Sequence, residues 1–252
     1  MASDIKHQII NGKDCKDLAE LADGISTWPT FMKKDPVANR HWAALYNEFA
    51  EYQFGMFDSS TGNLMAAANS IPLTYDGKLE DLPDEGWDWA LNKSVNDYQT
   101  NLRPNIQCAI QIAVSNDFRG LGLSQIMLKA MKNIGRNHGL NGLIAPVRPN
   151  LKHKYPLTPM SEYIKWKTDD GKLFDPWLRV HTNLGARIIK VCPESMRMSG
   201  TIDEWEEWTE MKLPDSGEYI ITEALNTVIV DEKKESVTYI EPNVWMFHDS
   251  PN

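Results

Sequence analysis

Cysteine is scarce in this 252-residue chain: Cys15, Cys108 and Cys192 are odd in number and far apart. That spacing argues against both a disulfide framework and a zinc site, and the three read as buried thiols. No apolar run approaches the ~20 residues that a bilayer span requires, and the first residues, Met1 to Lys6, lack the apolar core of an export signal. A cytoplasmic protein without membrane attachment is therefore expected. Excess positive charge is also missing. The net charge is −9, which argues against nucleic acid as a partner, because a phosphate backbone is bound by a basic surface. No internal repeat, low-complexity tract or long linker interrupts the chain, so one continuous domain over residues 1–252 is the default.

What is present is an ordinary globular balance, 42% hydrophobic and 24% charged, with nine tryptophans. Tryptophans fill cores and also wall ligand pockets. Charge is unevenly spread. From Phe118 to Ser161 the chain carries Arg119, Lys129, Lys132, Arg136, Arg148, Lys152 and Lys154 and no acidic residue. Such a strip suits a small anionic ligand, although a solvated helix face gives the same pattern.

Periodicity supplies the elements. A helix is expected over 14–25, followed by Asp35 as N-cap and Pro36 at the first position of a second helix. Strands are expected at 52–57 and 64–71, a loop from Pro72 to Gly86, and a helix over 87–102 with Trp87, Leu91, Val95, Tyr98 and Leu102 facing inward. From Ile106 to Val114 large apolar residues alternate with Gln107, Ala109, Gln111 and Ala113, which predicts a strand with its larger side chains on one face. Leu123, Ile126, Met127, Ala130, Met131 and Ile134 then follow helical spacing, Gly139 supplies a C-cap, and 143–147 reads as the next strand. The helix over 203–210 presents an acidic face and turns its tryptophans inward.

The turn joining strand to helix is Arg119-Gly120-Leu121-Gly122-Leu123-Ser124. Glycines let successive N–H groups converge there, and the helix N-terminus adds partial positive charge, a combination suited to pyrophosphate. A Rossmann site is a poor fit, because Gln125 takes the third glycine position and no acidic residue follows about 20 residues later. No Gly-Lys-Ser/Thr follows either, which excludes a Walker A loop. A merely structural turn remains the alternative. The segment resembles motif A of the GNAT (Gcn5-related N-acetyltransferase) superfamily. The resemblance implies an α/β (α+β) fold with a mixed, mostly antiparallel sheet splayed open and flanked by helices, its core over about 5–200 and a C-terminal extension over about 201–252. It further implies that Ile112, Ala113 and Val114 run beside the pantetheine of acetyl-CoA or another acyl-CoA, while Arg119, Gly120, Leu121, Gly122, Leu123 and Ser124 hold its pyrophosphate. Lys152 and Lys154 are candidates for the 3′-phosphate, and no metal is implied.

In the same pattern a late helix carries a tyrosine that returns a proton to the departing thiolate. The matching segment, Phe174 to Ala186, has His181 at that place, and imidazole keeps acid–base competence near neutrality. A structural histidine is the alternative. No glutamate stands in strand 106–114 to deprotonate an amine. Further words, Trp28-Pro29-x-Phe31-Met32, Val147-Arg148-Pro149-Asn150, Glu204-Trp205-Glu206-Glu207-Trp208 and Glu241-Pro242-Asn243-Val244-Trp245, resemble the GNAT-like loading domains of polyketide synthases, of the curacin type. That subgroup implies His181 together with the residue at Asn150, where it carries Ser or Thr, as catalytic positions. Trp28 is a candidate wall of the acyl pocket, with core filling as the alternative, and Arg197 is a candidate partner of a substrate carboxylate, with a surface strand residue as the alternative. An acyl-CoA-dependent acyltransferase acting on an amine or a thiol, the latter including a carrier protein's, is the expected function. A malonyl-CoA decarboxylase-like enzyme and a non-catalytic acyl-CoA-binding module are the alternatives.

Overall fold

The computed structural model describes residues 6–249, so the ends of the expected 1–252 domain, and part of the leader reading at Met1 to Lys6, lie outside the described residues. Strand β1 (His7–Asn11) opens the chain, followed by α1 (Leu18–Gly24) and α2 (Pro36–Tyr46). Asp35 caps α2 as expected: its Oδ1 accepts from the Ala38 N–H at 2.7 Å, and Pro36 fills the first turn, where no N–H is needed. Next come β2 (Phe54–Asp58), β3 (Leu64–Leu73), α3 (Gly86–Gln99), β4 (Ile106–Val114), α4 (Leu123–Asn137) and β5 (Gly142–Val147). The short α5 (Met160–Tyr163) and α6 (Pro176–Asn183) lead to a long strand, β6 (Arg187–Thr201). Then α7 (Ile202–Thr209), β7 (Gly217–Tyr219) and β8 (Val228–Asp231) precede the last strand, β9 (Ser236–Asp249).

The sheet runs β1-β2-β3-β4-β5-β9-β8-β7, with β6 paired to the other edge of β9. Every neighbouring pair is antiparallel except β4 and β5. Helices α2 and α3 cover one face through Leu45, Trp87 and Leu91, and α4 covers the other through Met127, Leu128 and Met131. Each of these fully buried side chains contributes about 1.5–3 kcal/mol. The mixed α/β fold with a mostly antiparallel sheet is the one expected.

Several local expectations change. Pro72 and Leu73 continue β3, opposite Gln107 and Ile106, instead of opening a loop. Helix α3 stops at Gln99, and Asn101 follows with φ of 57°, so Leu102 (49% exposed) and Tyr98 (54%) lie outside the core. In β4 the pairing passes from Ser70–Ala109 to Asn69–Gln111 and skips Ile110. That one-residue bulge reverses the sidedness of everything after it. Ile106, Cys108 and Ile110 pack on the α3 face, whereas Ile112 and Val114 pack with α4, so the expected single apolar face is split in two. The C-terminal stretch is also no appendage: β9 pairs with β5, β6 and β8, and residues 202–235, inserted between β6 and β9, bury Trp205, Leu213 and Ile221 in the main core.

Candidate active site

The parallel pair β4–β5 is joined only at Gln107–Leu143 and Cys108–Ile144. Beyond that point the strands part, leaving the β5-facing backbone edge of Ala109 to Val114 without a strand partner. Trp87 occupies one position on this stretch, its Nε1 donating to the Ile110 carbonyl at 3.0 Å. A cleft of about 210 Å³ opens where the strands diverge. Unpaired strand backbone beside a cleft is costly unless a ligand or water completes it, which makes this edge a natural binding surface for an extended amide-bearing chain.

At the end of β4 the turn Arg119–Ser124 leads into α4. Gly120 and Gly122 have φ of 78° and 75°, the left-handed region that favours glycine, and Gly122 is the N-cap with no side chain capping the helix. The Leu123 and Ser124 N–H groups are therefore open to an anion at the positive end of the helix, while the Gln125 N–H turns back to the Gly122 carbonyl at 3.1 Å. Arg119 is exposed and donates to Thr27 Oγ1 at 3.4 Å. The basic strip is smaller than its sequence suggests. Lys152 is buried, with Nζ donating to the carbonyls of Tyr155 and Leu225 at 2.8 and 2.6 Å, and burial lowers its pKa to about 8. It is thus unavailable to a phosphate, a correction to the expectation above.

His181 reaches the opposite wall from α6. Asp175 fixes that helix: its Oδ1 accepts from the N–H groups of Trp177 and Leu178, and its Oδ2 takes the Leu151 N–H and the Tyr163 hydroxyl. His181 is 2% exposed, its Nδ1 lies 2.9 Å from His248 Nε2, and its own Nε2 has no partner among the described residues. Burial, reinforced by the neighbouring His248, lowers its pKa to about 3, so the ring is neutral near pH 7.

The remaining wall is a buried polar network that sequence reasoning passed over. Glu241 on β9 is fully buried; its Oε1 accepts from Arg148 Nε at 2.8 Å and its Oε2 from the Tyr239 hydroxyl at 2.9 Å. Asn243 donates to the same carboxylate at 3.3 Å and accepts from Ser195 Oγ at 2.6 Å, and Ser195 in turn accepts the Trp87 N–H. Arg148, Glu241 and Asn243 all line the cleft. Their residues sit inside the words quoted above from 147–150 and 241–245, but an acid in a strand acquires meaning only once its basic partner, 93 positions away, is known.

Of the residues singled out by sequence, Trp28, Asn150, Ile112 and His181 line this one cleft. Trp28 packs edge-on against Trp42 and Trp87 at 6.1 and 5.7 Å and also borders a second cavity of about 250 Å³ with Trp42, Tyr46 and Asp23. Arg197 is not brought in. It is exposed on β6, its guanidinium lies 3.7 Å from Glu194, and its neighbour Met196 lines the cleft instead, because alternate residues of a strand face opposite sides. The guanidinium within the cleft belongs to Arg148.

No family profile matches the sequence. The chain is 31% identical over 249 residues to the arginine N-acetyltransferase avaD of Aspergillus versicolor, covering 88% of this chain and 85% of that protein. The chain belongs to the GNAT superfamily of acyl-CoA-dependent acyltransferases. Among solved structures, the loading GNAT-like domain of CurA from Lyngbya majuscula superposes with a TM-score of 0.61 at 16% identity, over 97% of this chain and 98% of that one. The GphF GNAT-like decarboxylase in complex with isobutyryl-CoA gives 0.56 at 11% identity, over 98% and 100%. At these identities the two share the fold. In this GNAT acyltransferase no helix among the described residues is long and apolar enough to cross a membrane.

Proposed function

We propose that this acyltransferase transfers the acetyl group of acetyl-CoA to the amino group of a small cationic amino acid of the arginine type. The observation that carries the reading is the free Nε2 of a neutral, buried His181 at the wall of the cleft where β4 and β5 part. In the binding step, Arg119 to Ser124 hold the pyrophosphate and the unpaired edge of Ile112 to Val114 takes the pantetheine. With Nδ1 protonated and donating to His248, Nε2 presents a lone pair to the acceptor amine. As the N–C bond forms and the C–S bond breaks, the amine proton passes to Nε2. An imidazolium whose pKa has been driven so low does not retain it, and the departing thiolate receives it.

The acceptor reading is supported by the named activity of the relative and by the shape of the second cavity. Trp28, Met32 and Gln111 border both cavities, so a long acceptor with its amine in the first reaches into the second. There Trp42 and Tyr46 offer aromatic faces to a guanidinium and Asp23 offers a carboxylate. Three cysteines without disulfide bonds suit a reducing compartment, and we assign the protein to the cytoplasm.

Mass spectrometry of acetyl-CoA incubated with arginine and a panel of other amines tests the proposal. Acetylarginine formed by the wild type and lost in His181→Ala is the expected result. Parallel incubation with malonyl-CoA separates the reading from decarboxylation. Conversion to acetyl-CoA without acceptor would replace amine acetylation with the chemistry named for GphF.

A further inference from the structure

Two imidazoles in direct contact inside a core are unusual company. His181 and His248 are 2% and 0% exposed and joined through Nδ1 and Nε2 at 2.9 Å. A pair retained for packing alone would satisfy its outer nitrogens or give way to apolar residues, since a buried polar atom without a partner costs about 1–3 kcal/mol. Here neither outer nitrogen, His181 Nε2 or His248 Nδ1, makes a well-formed hydrogen bond among the described residues, although the Leu184 carbonyl lies near enough to His248 to pull weakly on its proton. The two rings also open on different spaces. His181 lines the acyl cleft, whereas His248 lines a separate cavity of about 40 Å³ between α4 and the β5–β9 edge. That volume admits a water, and the rim residues Asn133, Arg136 and Asp249 are exposed.

We propose that His248 is the second member of a proton relay, carrying the proton that the ammonium form of the acceptor must lose from the cleft, through His181, to water in the cavity beside Lys132 and Asp249. The inference rests on the acyltransfer reading above. An amine at neutral pH arrives as ammonium and loses two protons in becoming an amide. One ends on the thiol of coenzyme A; the other must reach solvent from a cleft filled by two substrates. In the relay the ammonium proton goes to His181 Nε2, the Nδ1 proton of His181 passes to His248 Nε2, and the Nδ1 proton of His248 leaves to water. Three transfers along one line conserve charge and return the pair to neutrality, with the protons now on its cleft-side nitrogens. His181 Nε2 then gives its proton to the departing thiolate and takes the remaining amine proton in its place, and once the products leave, that proton passes to water in the opened cleft while His248 Nδ1 takes one from the cavity water, which restores the starting tautomer.

The charges around the exit favour release. From α4, Lys132 and Arg136 line the cavity; from β9, Asp249 does, itself paired with Arg187 of β6 at 3.1 Å. Lys132 Nζ donates to the Leu184 carbonyl at 3.3 Å, which anchors the cation at the end of α6. Trp177 of α6 packs edge-on over His181 at 4.6 Å and contributes no charge. Burial and then Lys132 lower the pKa of His248 to about 4, opposed more weakly by the Leu184 carbonyl and Asp249, so neither ring traps the proton. His248 follows the apolar run Val244–Phe247 and carries no sequence signal; its role depends on the strand that places it behind His181.

The test uses the full chain with acetyl-CoA and its best amine acceptor. His248→Gln keeps a side-chain amide able to orient the His181 ring but cannot accept and release a proton. It is expected to lower kcat by roughly 100-fold while leaving the KM for acetyl-CoA within about twofold. His248→Ala is expected to recover turnover when free imidazole is added, and single-turnover rates of the unaltered protein in H₂O–D₂O mixtures are expected to bow, as several protons in flight require. A His248→Gln enzyme with wild-type kcat would reduce His248 to orientation and overturn the relay, and so would a linear isotope dependence, which needs no variant to fold. A wild type that acetylates no amine overturns the parent reading and the relay with it. Turnover that is indifferent to His248 overturns the relay alone.

Discussion

The two walls of the cleft are built on different principles. The β4 wall is local: nine strand residues, a turn and a helix N-terminus contiguous from Ile106 to Asn137, presenting mostly backbone. The β5–β9 wall is assembled from side chains far apart in the chain, with Arg148, His181, Ser195, Glu241, Asn243 and His248 brought together from two strands, a helix and the residue that follows β5. Backbone donors need only the right φ and ψ, which two glycines with positive φ supply, so a wall of this kind tolerates wide sequence change. Side-chain chemistry needs particular atoms. The wall proposed to carry the chemistry is therefore the one with the weakest local signature.

If that contrast is right, damage to the two walls should separate cleanly. The largest effect falls on the side-chain wall. His181→Ala is expected to reduce kcat by about 10²–10⁴-fold with acetyl-CoA affinity nearly unchanged in calorimetry. A comparable loss of affinity would mean the histidine belongs to the binding wall. Next, Arg148→Met leaves the fully buried Glu241 carboxylate without its cation. We expect about 2–3 kcal/mol of lost stability, or a melting temperature lower by about 5–10 °C, read in a thermal melt. An unchanged melt would show that Tyr239 and Asn243 satisfy the carboxylate by themselves.

On the backbone wall, Gly122→Trp places a bulky side chain at φ of 75° in the turn proposed to hold the pyrophosphate. Acetyl-CoA affinity is expected to fall about 100-fold, well beyond the ~1–2 kcal/mol conformational cost of a left-handed residue, while His181-dependent chemistry at saturating substrate persists. Calorimetry with Gly122→Ala as the conformational control decides it. The smallest effect is expected where Asp35, the cap of α2, and Asp88 on α3 are fully and partly buried and each leaves one oxygen without a partner among the described residues. A proton shared between the two carboxyls accounts for both orphaned atoms. Burial, then the charge of Asp35, raises Asp88 to about 8. Its folded pKa lies above the unfolded value, so its contribution to stability is complete below about pH 4 and is lost as pH rises toward 8. Asp88→Asn is expected to flatten the melting temperature over that window, and a variant that keeps the wild-type slope would assign the dependence elsewhere.

The sequence was legible wherever structure is local. Periodicity located β4, α4 and β5 nearly to the residue, and Asp35-Pro36 marked the start of α2, because capping and alternation depend on neighbours a few positions apart. It also brought Trp28, Asn150 and His181 to the cleft, through words matched to relatives and not through chemistry read from spacing. Failures have equally physical causes. A one-residue bulge at Ile110 cannot be seen in an alternating pattern that reads the same through it, yet it sends Ile112 and Val114 to the other face. Arg197 and Arg148 look alike as isolated arginines; strand parity turns one to solvent, and a buried acid holds the other in place.

By itself, then, the sequence determined the β-turn-α-β unit, its anion-suited turn and the family that follows from them, since contiguous residues carry all the information a backbone site needs. Tertiary structure alone decided which side chains face the substrate. The cation that pairs with Glu241 and the histidine that pairs with His181 lie 93 and 67 positions away, and only the register of β9 against β5 and β6 brings them within a hydrogen bond.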